Sequence, residues 1–149
     1  MKLSEIMSGN SVFVGLKANS KRQLLQELAD KAAEVTGISD RTVFDTVLER
    51  ESLGTTGFGN GTALPHGRFA ELDKIYGFFA KLASPVDYDA VDGKPVDLVF
   101  MLLSPESSGA DHLTALAQAS RILKDESIRS KIRQISSAQE IYALLNNHE

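Results

Sequence analysis

One histidine stands in a backbone setting that could open its ring to a reaction partner. His66 lies between Pro65, which fixes its own φ, and Gly67, which removes side-chain bulk. Neutral imidazole is a competent nucleophile, and a histidine ring is largely neutral near pH 7. These residue types therefore indicate a nucleophilic role for His66. The same pattern also fits an ordinary turn residue, because polar loop side chains are often merely solvated.

A glycine-rich segment precedes His66 and could hold an anion. Four glycines lie within eight residues, from Gly54 to Gly61, and successive backbone N–H groups in such turns can form an anion-binding nest. The segment lacks a Gly-Lys-Ser/Thr sequence, and it follows a predicted helix rather than a strand. It is therefore neither a P-loop nor a dinucleotide-binding fingerprint. A plain loop of turns is the alternative interpretation.

Two further side chains could assist at an anionic centre. His112 is near the start of a predicted helix, where its ring should stay neutral and could donate one N–H to a phosphoryl oxygen. The alternative is a boundary histidine that half-packs on the core. Arg50 ends another predicted helix, where its charge suits the helix dipole or could reach phosphate oxygens. Glu49 and Glu51 flank it and could equally form surface pairs of little energetic worth. His148, near the C-terminus, is expected to be inert.

Helices and strands must position these residues. A strand, two helices, several strands and further helices follow one another, an order that predicts an α/β sandwich with a mixed β-sheet flanked by helices. We expect one domain over residues 1–149. Ser20 and Ser39 are predicted helix N-caps, and Gly37 is a predicted helix stop. The predicted strands are 11–16, 75–82 and a central strand, 96–103. Apolar and polar residues alternate over 85–91, and a hairpin signal follows at Asp92-Gly93. The predicted helices are 20–37, 39–50, 111–124, 128–135 and a last one that starts at the capping box 137–140.

Composition excludes several classes of protein. The chain has 149 residues, a net charge of −4 and no cysteine. The absence of cysteine excludes disulfide scaffolds, cysteine nucleophiles and iron–sulfur sites, and the negative charge argues against general nucleic-acid binding. The N-terminus has no signal-peptide pattern, and the longest apolar run, Leu98 to Leu103, is too short to span a bilayer. We expect a cytoplasmic protein without membrane insertion, with no metal and no cofactor.

One long segment resembles a known family. Residues 50–67, Arg-Glu-Ser-Leu-Gly-Thr-Thr-Gly-Phe-Gly-Asn-Gly-Thr-Ala-Leu-Pro-His-Gly, are similar to the active-site stretch of the IIA domains of the bacterial phosphotransferase system, fructose/mannitol class. Within that class the segment most resembles the nitrogen-regulatory IIA proteins. Residues 96–105 resemble the family's central strand, and 111–113 resemble the start of its following helix. The resemblance covers nearly the whole chain and implies a mixed sheet flanked by helices.

The resemblance implies a role for three matching side chains. His66 would be the phosphoryl acceptor, His112 would steady the phosphoryl group as the second active-site histidine, and Arg50 would be the active-site arginine. The phosphoryl donor would be a small histidine-phosphorylated carrier, HPr or its nitrogen-branch paralogue NPr. The family requires no metal or cofactor for this step.

The resemblance also gives the glycine-rich segment a role, since the pocket would be shaped by Gly59, Asn60 and Gly61. Asn60 is typical of nitrogen-type members, whereas sugar-transporting members often have glutamate at that position. This chain departs from the family's usual isoleucines at Phe58, Thr62 and Leu64. Such changes leave the chemistry intact but alter the patch expected to meet the carrier.

Three functions remain open from the sequence. The first is a nitrogen-type phosphorelay regulator, a stand-alone domain whose phosphorylation state controls binding to regulated partner proteins. The second is a sugar-transport IIA component that passes the phosphoryl group to a IIB domain. The third is a non-catalytic module whose glycine-rich segment binds an anion or a peptide.

Overall fold

The protein is an α/β sandwich built on one mixed sheet, as the sequence predicts. The structure, a computed structural model, describes residues 2–147. Across these residues no helix is both long and apolar enough to cross a bilayer. A 3₁₀ turn covers Gly9–Ser11, and the other elements are α1 (Leu3–Ile6), β1 (Val12–Leu16), α2 (Lys21–Thr36), α3 (Asp40–Leu53), β2 (Gly57–Gly59), β3 (Thr62–Ala63), β4 (His66–Phe69), β5 (Tyr76–Val86), β6 (Val96–Pro105), α4 (Ala110–Lys124), α5 (Glu126–Gln134) and α6 (Ala138–Asn147).

The strand β6 is the centre of the sheet. Five of the six strands run in the order β1-β5-β6-β3-β2, and the sixth, β4, pairs with β6 beyond β3. The strand β5 is antiparallel to β6, whereas β3 and β4 are parallel to it. At the sheet edges, β1 is parallel to β5 and β2 is antiparallel to β3. The prediction of a mixed sheet with a central strand at 96–103 is confirmed.

Alternation along β6 divides the apolar core into two layers. Val99, Met101 and Leu103 belong to the cluster that α2 and α3 cover. Leu98, Phe100 and Leu102 belong to the cluster on the other face, which α4, α5 and α6 cover. Because successive side chains of a strand point to opposite faces, a continuous apolar run fits a strand buried on both sides.

Local signals place the ends of the first two long helices. The Ser20 hydroxyl accepts a hydrogen bond from the Gln23 amide, and Ser39 caps α3 in the same way through Thr42. Gly37 adopts a left-handed conformation with φ of 80° after α2. A residue with Cβ is disfavoured there, which explains why glycine stops the helix. The helix α3 continues three residues beyond the predicted end at Arg50, as far as Leu53.

The glycine-rich segment is not a loop, so that interpretation is wrong. Its middle forms a hairpin of β2 and β3, and His66 begins the strand β4. Asn60 and Gly61 occupy the hairpin turn with φ of 59° and 77°. Two positive φ values are what a tight type I′ turn requires, and Asn-Gly is the dipeptide that most favours it. The signal was present in the sequence at residues 60–61.

The hairpin signal at Asp92-Gly93 is only partly correct. A turn forms there, with the Gly93 amide donating to the Ala90 carbonyl, and β5 and β6 do pair as antiparallel neighbours. However, β5 ends at Val86, so most of the alternating segment 85–91 is irregular. Tyr88 within it is fully buried and bonded to other elements, and these contacts replace a strand ladder.

Candidate functional site

A cavity of about 440 Å³ lies where the end of α3, the start of β4 and the first turn of α4 meet. Both predicted site histidines and the predicted arginine are together in its wall. The lining residues are Thr46, Glu49, Arg50, Leu53, His66, Gly67, Arg68 and His112. The structure thus brings His66, His112 and Arg50 to one place, although they are separated by up to 62 positions in the chain.

The ring of His66 is held through one nitrogen. His66 is the first residue of β4 and pairs with Leu102 of β6. Its Nδ1 is 2.9 Å from the carbonyl oxygen of Leu64. A carbonyl oxygen can only accept, so Nδ1 carries the proton of the neutral ring. The lone pair of that ring is therefore on Nε2, for which no hydrogen-bond partner exists among residues 2–147.

His112 is the third residue of α4 and is only 4% exposed. Its Nδ1 lies 2.7 Å from the hydroxyl oxygen of Ser104, at the end of β6. The centroids of the His112 and His66 rings are 5.8 Å apart, and the rings are tilted by 55°. His112 is thus both packed on the core and part of the cavity wall, which joins the two interpretations that the sequence left open. His148 lies outside the described residues.

Both rings are held in their neutral form. Burial lowers the pKa of His66, and the Arg50 and Arg68 charges add to this, while the bond to the Leu64 carbonyl and the Glu51 charge act in the opposite direction. Burial, the Arg68 charge and His66 lower the pKa of His112 to about 4. At pH 7 each ring therefore has one proton and one lone pair, as a nucleophile or a hydrogen-bond donor requires.

Two guanidinium groups line the cavity. Arg50, in the last turn of α3, donates from Nη1 to the carbonyl oxygen of Gly54 at 3.0 Å, so it caps the helix as well as lining the cavity. Arg68, two residues after His66 on β4, was not singled out by the sequence analysis. Alternation along a strand would have placed Arg68 beside His66 once residues 66–69 were recognised as a strand.

The end of α3 is fixed by a buried carboxylate. Glu51 is 5% exposed and accepts hydrogen bonds from the amide and hydroxyl of Thr56 and from the Tyr88 hydroxyl, at 2.9 Å for the amide and 3.0 Å for the tyrosine. The Nζ atom of Lys21 in α2 lies 2.9 Å from a carboxylate oxygen of Glu51 and forms an ion pair with it. Burial, with the Glu51 charge, raises the pKa of Tyr88. The surface pair that the sequence left open for Glu51 is therefore not formed, because Glu51 is buried among partners that include Lys21 and Tyr88 from distant segments of the chain.

The predicted pocket residues Gly59, Asn60 and Gly61 do not line this cavity. Thr62 pairs with Leu98 and His66 with Leu102, so the turn is displaced from His66 by four positions of β6, about 13 Å. Asn60 and Gly61 instead border a second cavity of about 660 Å³ beside α5.

The groups of this turn are occupied by protein partners. The Asn60 amide donates to the Asp92 carboxylate at 3.1 Å, so a carboxylate of the chain itself occupies the expected anion nest. Arg133 donates to the Asn60 carbonyl at 2.7 Å and binds both carboxylate oxygens of Asp97. A Cβ on Gly61 would lie 2.5 Å from Arg133 Nη2, so the Arg133–Asp97 pair would have to shift, and the φ of 77° itself favours glycine.

Comparison with known proteins supports the fold and the family resemblance of residues 50–67. A family model described as the phosphoenolpyruvate-dependent sugar phosphotransferase system, EIIA 2, matches residues 5–148. The chain belongs to this family. The resemblance to phosphotransferase IIA domains is thus confirmed over nearly the whole chain.

Three relatives describe where the chain lies within the family. It is 51% identical to a nitrogen regulatory protein of Bradyrhizobium diazoefficiens over 97% of this chain and 95% of that protein. It superposes on nitrogen regulatory protein IIA-Ntr from Neisseria meningitidis with a TM-score of 0.91 at 36% identity, covering 96% and 98% of the two chains. Enzyme IIA for mannitol from Escherichia coli, solved in complex with phosphorylated enzyme IIB, shares the fold with a TM-score of 0.77 at 20% identity, over 94% and 98%.

Proposed function

We propose that this protein is a nitrogen-type regulatory IIA that accepts a phosphoryl group on Nε2 of His66 from an HPr- or NPr-type phosphohistidine carrier. One observation carries the proposal. The ring of His66 is anchored through Nδ1 to the Leu64 carbonyl, so its lone pair is on Nε2, in a cavity that it shares with His112 and two arginines.

The transfer itself needs no proton movement. The Nε2 lone pair of His66 forms a bond to phosphorus while the phosphorus–nitrogen bond of the carrier's phosphohistidine breaks. The electron pair of that bond returns to the carrier's ring, which leaves as a neutral imidazole if its other nitrogen carries a proton. His66 keeps its own Nδ1 proton on the Leu64 carbonyl. Positioning and charge stabilisation then supply most of the catalysis.

His112 is suited to hold an oxygen of the transferring group. When the Ser104 hydroxyl donates to Nδ1 of His112, the single ring proton is on Nε2 and can be donated to a phosphoryl oxygen. The low pKa of His112, about 4, keeps the ring from taking a second proton and shifting this arrangement. Arg50, on the α3 side of the cavity, provides a guanidinium that can bind a second oxygen.

The mouth of the cavity has a surface that suits a protein donor. Leu53, which lines the cavity, is 82% exposed, and Leu113, next to His112 in α4, is 63% exposed. Exposed apolar side chains beside a reactive group are typical of an interaction surface. Phosphorylation adds a charge of about −2 at this surface, to a chain whose net charge is −4. That change can determine which regulated partners bind.

A reconstituted relay tests the proposal. The protein is incubated with phosphoenolpyruvate, enzyme I and an HPr-type or NPr-type carrier, and its intact mass is recorded beside that of His66→Ala. We expect one added phosphoryl mass on the wild type and none on the variant. No added mass on the wild type, with the carrier itself phosphorylated, would contradict the proposal and favour the binding-module interpretation.

A second function has one observation in its favour. The mannitol enzyme IIA that shares this fold was solved in complex with phosphorylated enzyme IIB, which suggests transfer onward to a IIB domain in sugar uptake. Mixing the phosphorylated protein with fructose- or mannitol-type IIB domains separates the two functions. Regulatory function predicts slow or absent transfer to IIB, whereas complete transfer within seconds would favour the sugar-transport role.

A further inference from the structure

The guanidinium of Arg68 is beside both histidines of the cavity. Side chains two apart on a strand share a face, so Arg68 follows His66 on the same side of β4. The parallel register of β4 with β6 pairs Arg68 with Ser104, the residue whose hydroxyl contacts His112. Arg68 is therefore linked by position to each of the two rings.

Among the described residues Arg68 has no bonded partner, unlike Arg50, Arg129 and Arg133. Within residues 2–147 its guanidinium has neither a hydrogen bond nor an ion pair, although it lines the cavity. Arg50 already gives one N–H to the Gly54 carbonyl, Arg129 donates to the Leu123 carbonyl, and Arg133 binds Asp97. All five N–H groups of Arg68 remain available to an anion.

The charges of the cavity wall are consistent with a role for a second cationic side chain in the reaction. A phosphoryl group on His66 carries close to two negative charges. Arg50 and Arg68 are the cationic side chains of the cavity wall, and Glu49 in the same wall opposes them. Arg50 and Arg68 together carry two positive charges, which match the charge of the phosphoryl dianion.

We propose that Arg68 is a second phosphoryl-binding residue, whose guanidinium binds the non-bridging oxygens during transfer and in the phosphorylated protein. The inference rests on the proposed function and adds a group that neither the sequence motif nor the resemblance supplied. Arg68 exchanges no proton and forms no covalent bond. It stabilises the transferring group, with Arg50 on the α3 side and Arg68 on the β4 side.

The electrostatic effect of Arg68 on the free protein agrees with this position. Its charge contributes to the lowered pKa of both His66 and His112. The same guanidinium therefore helps keep the acceptor ring neutral before transfer and is available to the phosphoryl group after it.

Charge-removing and charge-keeping variants test the role. The rate of phosphoryl acceptance from a phosphorylated HPr-type carrier is measured for wild type, Arg68→Gln and Arg68→Lys. Arg41→Gln is the matched control, because Arg41 is an exposed arginine in the first turn of α3, about 14 Å along the helix from Arg50. We expect Arg68→Gln to lower kcat on the order of tenfold, with a smaller loss for Arg68→Lys and none for Arg41→Gln.

Two additional readouts separate phosphoryl binding from a merely structural role. In the free protein, proton NMR titration should show higher pKa values for both histidines in Arg68→Gln and nearly unchanged values in Arg68→Lys. At equilibrium with the carrier, a smaller fraction of Arg68→Gln than of wild type should be phosphorylated. A structural defect alone would move neither the two pKa values together nor this equilibrium in the expected direction.

The outcomes distinguish the inference from the function on which it rests. If wild type accepts a phosphoryl group while Arg68→Gln retains its full rate and equilibrium, the role of Arg68 is overturned and the proposed function stands. If wild type accepts none from a competent carrier, both fail. A loss of rate in Arg68→Gln caused only by a higher KM would also contradict phosphoryl binding, since it would indicate carrier docking.

Discussion

Within residues 54–67, the hairpin end at Asn60-Gly61 and the histidine end at His66 differ in how their polar groups are used. At the hairpin end, the Asn60 amide and carbonyl are bonded to Asp92 and Arg133, and Arg133 is paired with Asp97. At the histidine end, the Nε2 atoms of His66 and His112 have no protein partner among residues 2–147. Polar groups that are bonded to one another stabilise a fold, whereas polar groups left open beside a cavity can bind a ligand.

This difference supports a structural role for the hairpin end and the proposed chemistry for the histidine end. Both ends pair with β6, at Thr62 and at His66, so the same central strand supports both. Glycine is needed at the hairpin because of the turn and the close approach of Arg133, not because of a phosphate. Variants at the two ends should therefore separate phosphoryl acceptance from stability.

The largest effect is expected at the histidine end. His66→Ala removes the nitrogen that would form the bond to phosphorus, so carrier-dependent phosphorylation should fall below detection while the fold is retained. Intact mass and circular dichroism measure the two properties on the same sample. Phosphorylation of His66→Ala at the wild-type level would show that another residue is the phosphoryl acceptor.

A pH dependence is expected from His112. Its pKa is about 4 in the folded protein against an ordinary value of 6.5, so the unfolded chain binds the additional proton first. Stability should therefore fall as the pH drops from about 6.5 towards about 4, by up to about 3 kcal/mol. Urea unfolding of wild type and His112→Gln across this range measures the difference, and the variant should show the shallower dependence. Parallel curves would contradict the assigned cause.

A smaller loss of stability is expected in the hairpin turn. Gly61→Ala places a Cβ at a φ of 77° and against Arg133, which should lower the free energy of unfolding by about 2 kcal/mol. Gly9→Ala is the matched control, since a Cβ there meets nothing within 4 Å and the φ is not positive. Equal unfolding midpoints for the two variants would show that the turn tolerates a side chain.

The smallest effect is expected for the ion pair beside the turn. Arg133→Met removes a half-exposed pair with Asp97 and should cost about 1 kcal/mol. The rate of phosphoryl acceptance should not change, because Arg133 does not line the His66 cavity. A slower rate in this variant would mean that the hairpin end contributes to the reaction, as the resemblance first implied for Asn60.

Much of the fold could be predicted because it depends on local rules. Ser20, Gly37 and Ser39 act through hydrogen bonds and backbone angles within a few residues, and the apolar run along β6 needs only its own composition. The Asn60-Gly61 turn is equally local, since the Asn-Gly dipeptide itself favours a type I′ turn. The three matching site residues, His66, His112 and Arg50, came from the long motif and its flanks rather than from their chemistry alone.

The remaining site residues depend on contacts between distant segments. Arg68 is placed beside Ser104 by the register of β4 on β6, which no local pattern determines. Glu51 is buried because Lys21 and Tyr88, from two other parts of the chain, meet it there. In sequence it is one charged residue among several at a helix end. The roles of such residues can be assigned only when the order and register of the strands and the packing of the helices are known.

The position of the phosphoryl group tests the central claim most directly. Protein labelled with ¹⁵N is phosphorylated by a phosphorylated HPr-type carrier, and the imidazole nitrogens are observed by NMR with detection of coupling to ³¹P. The account predicts coupling at Nε2 of His66, with Nδ1 of that ring still protonated. Coupling at Nδ1 of His66, or at any nitrogen of His112, would contradict it.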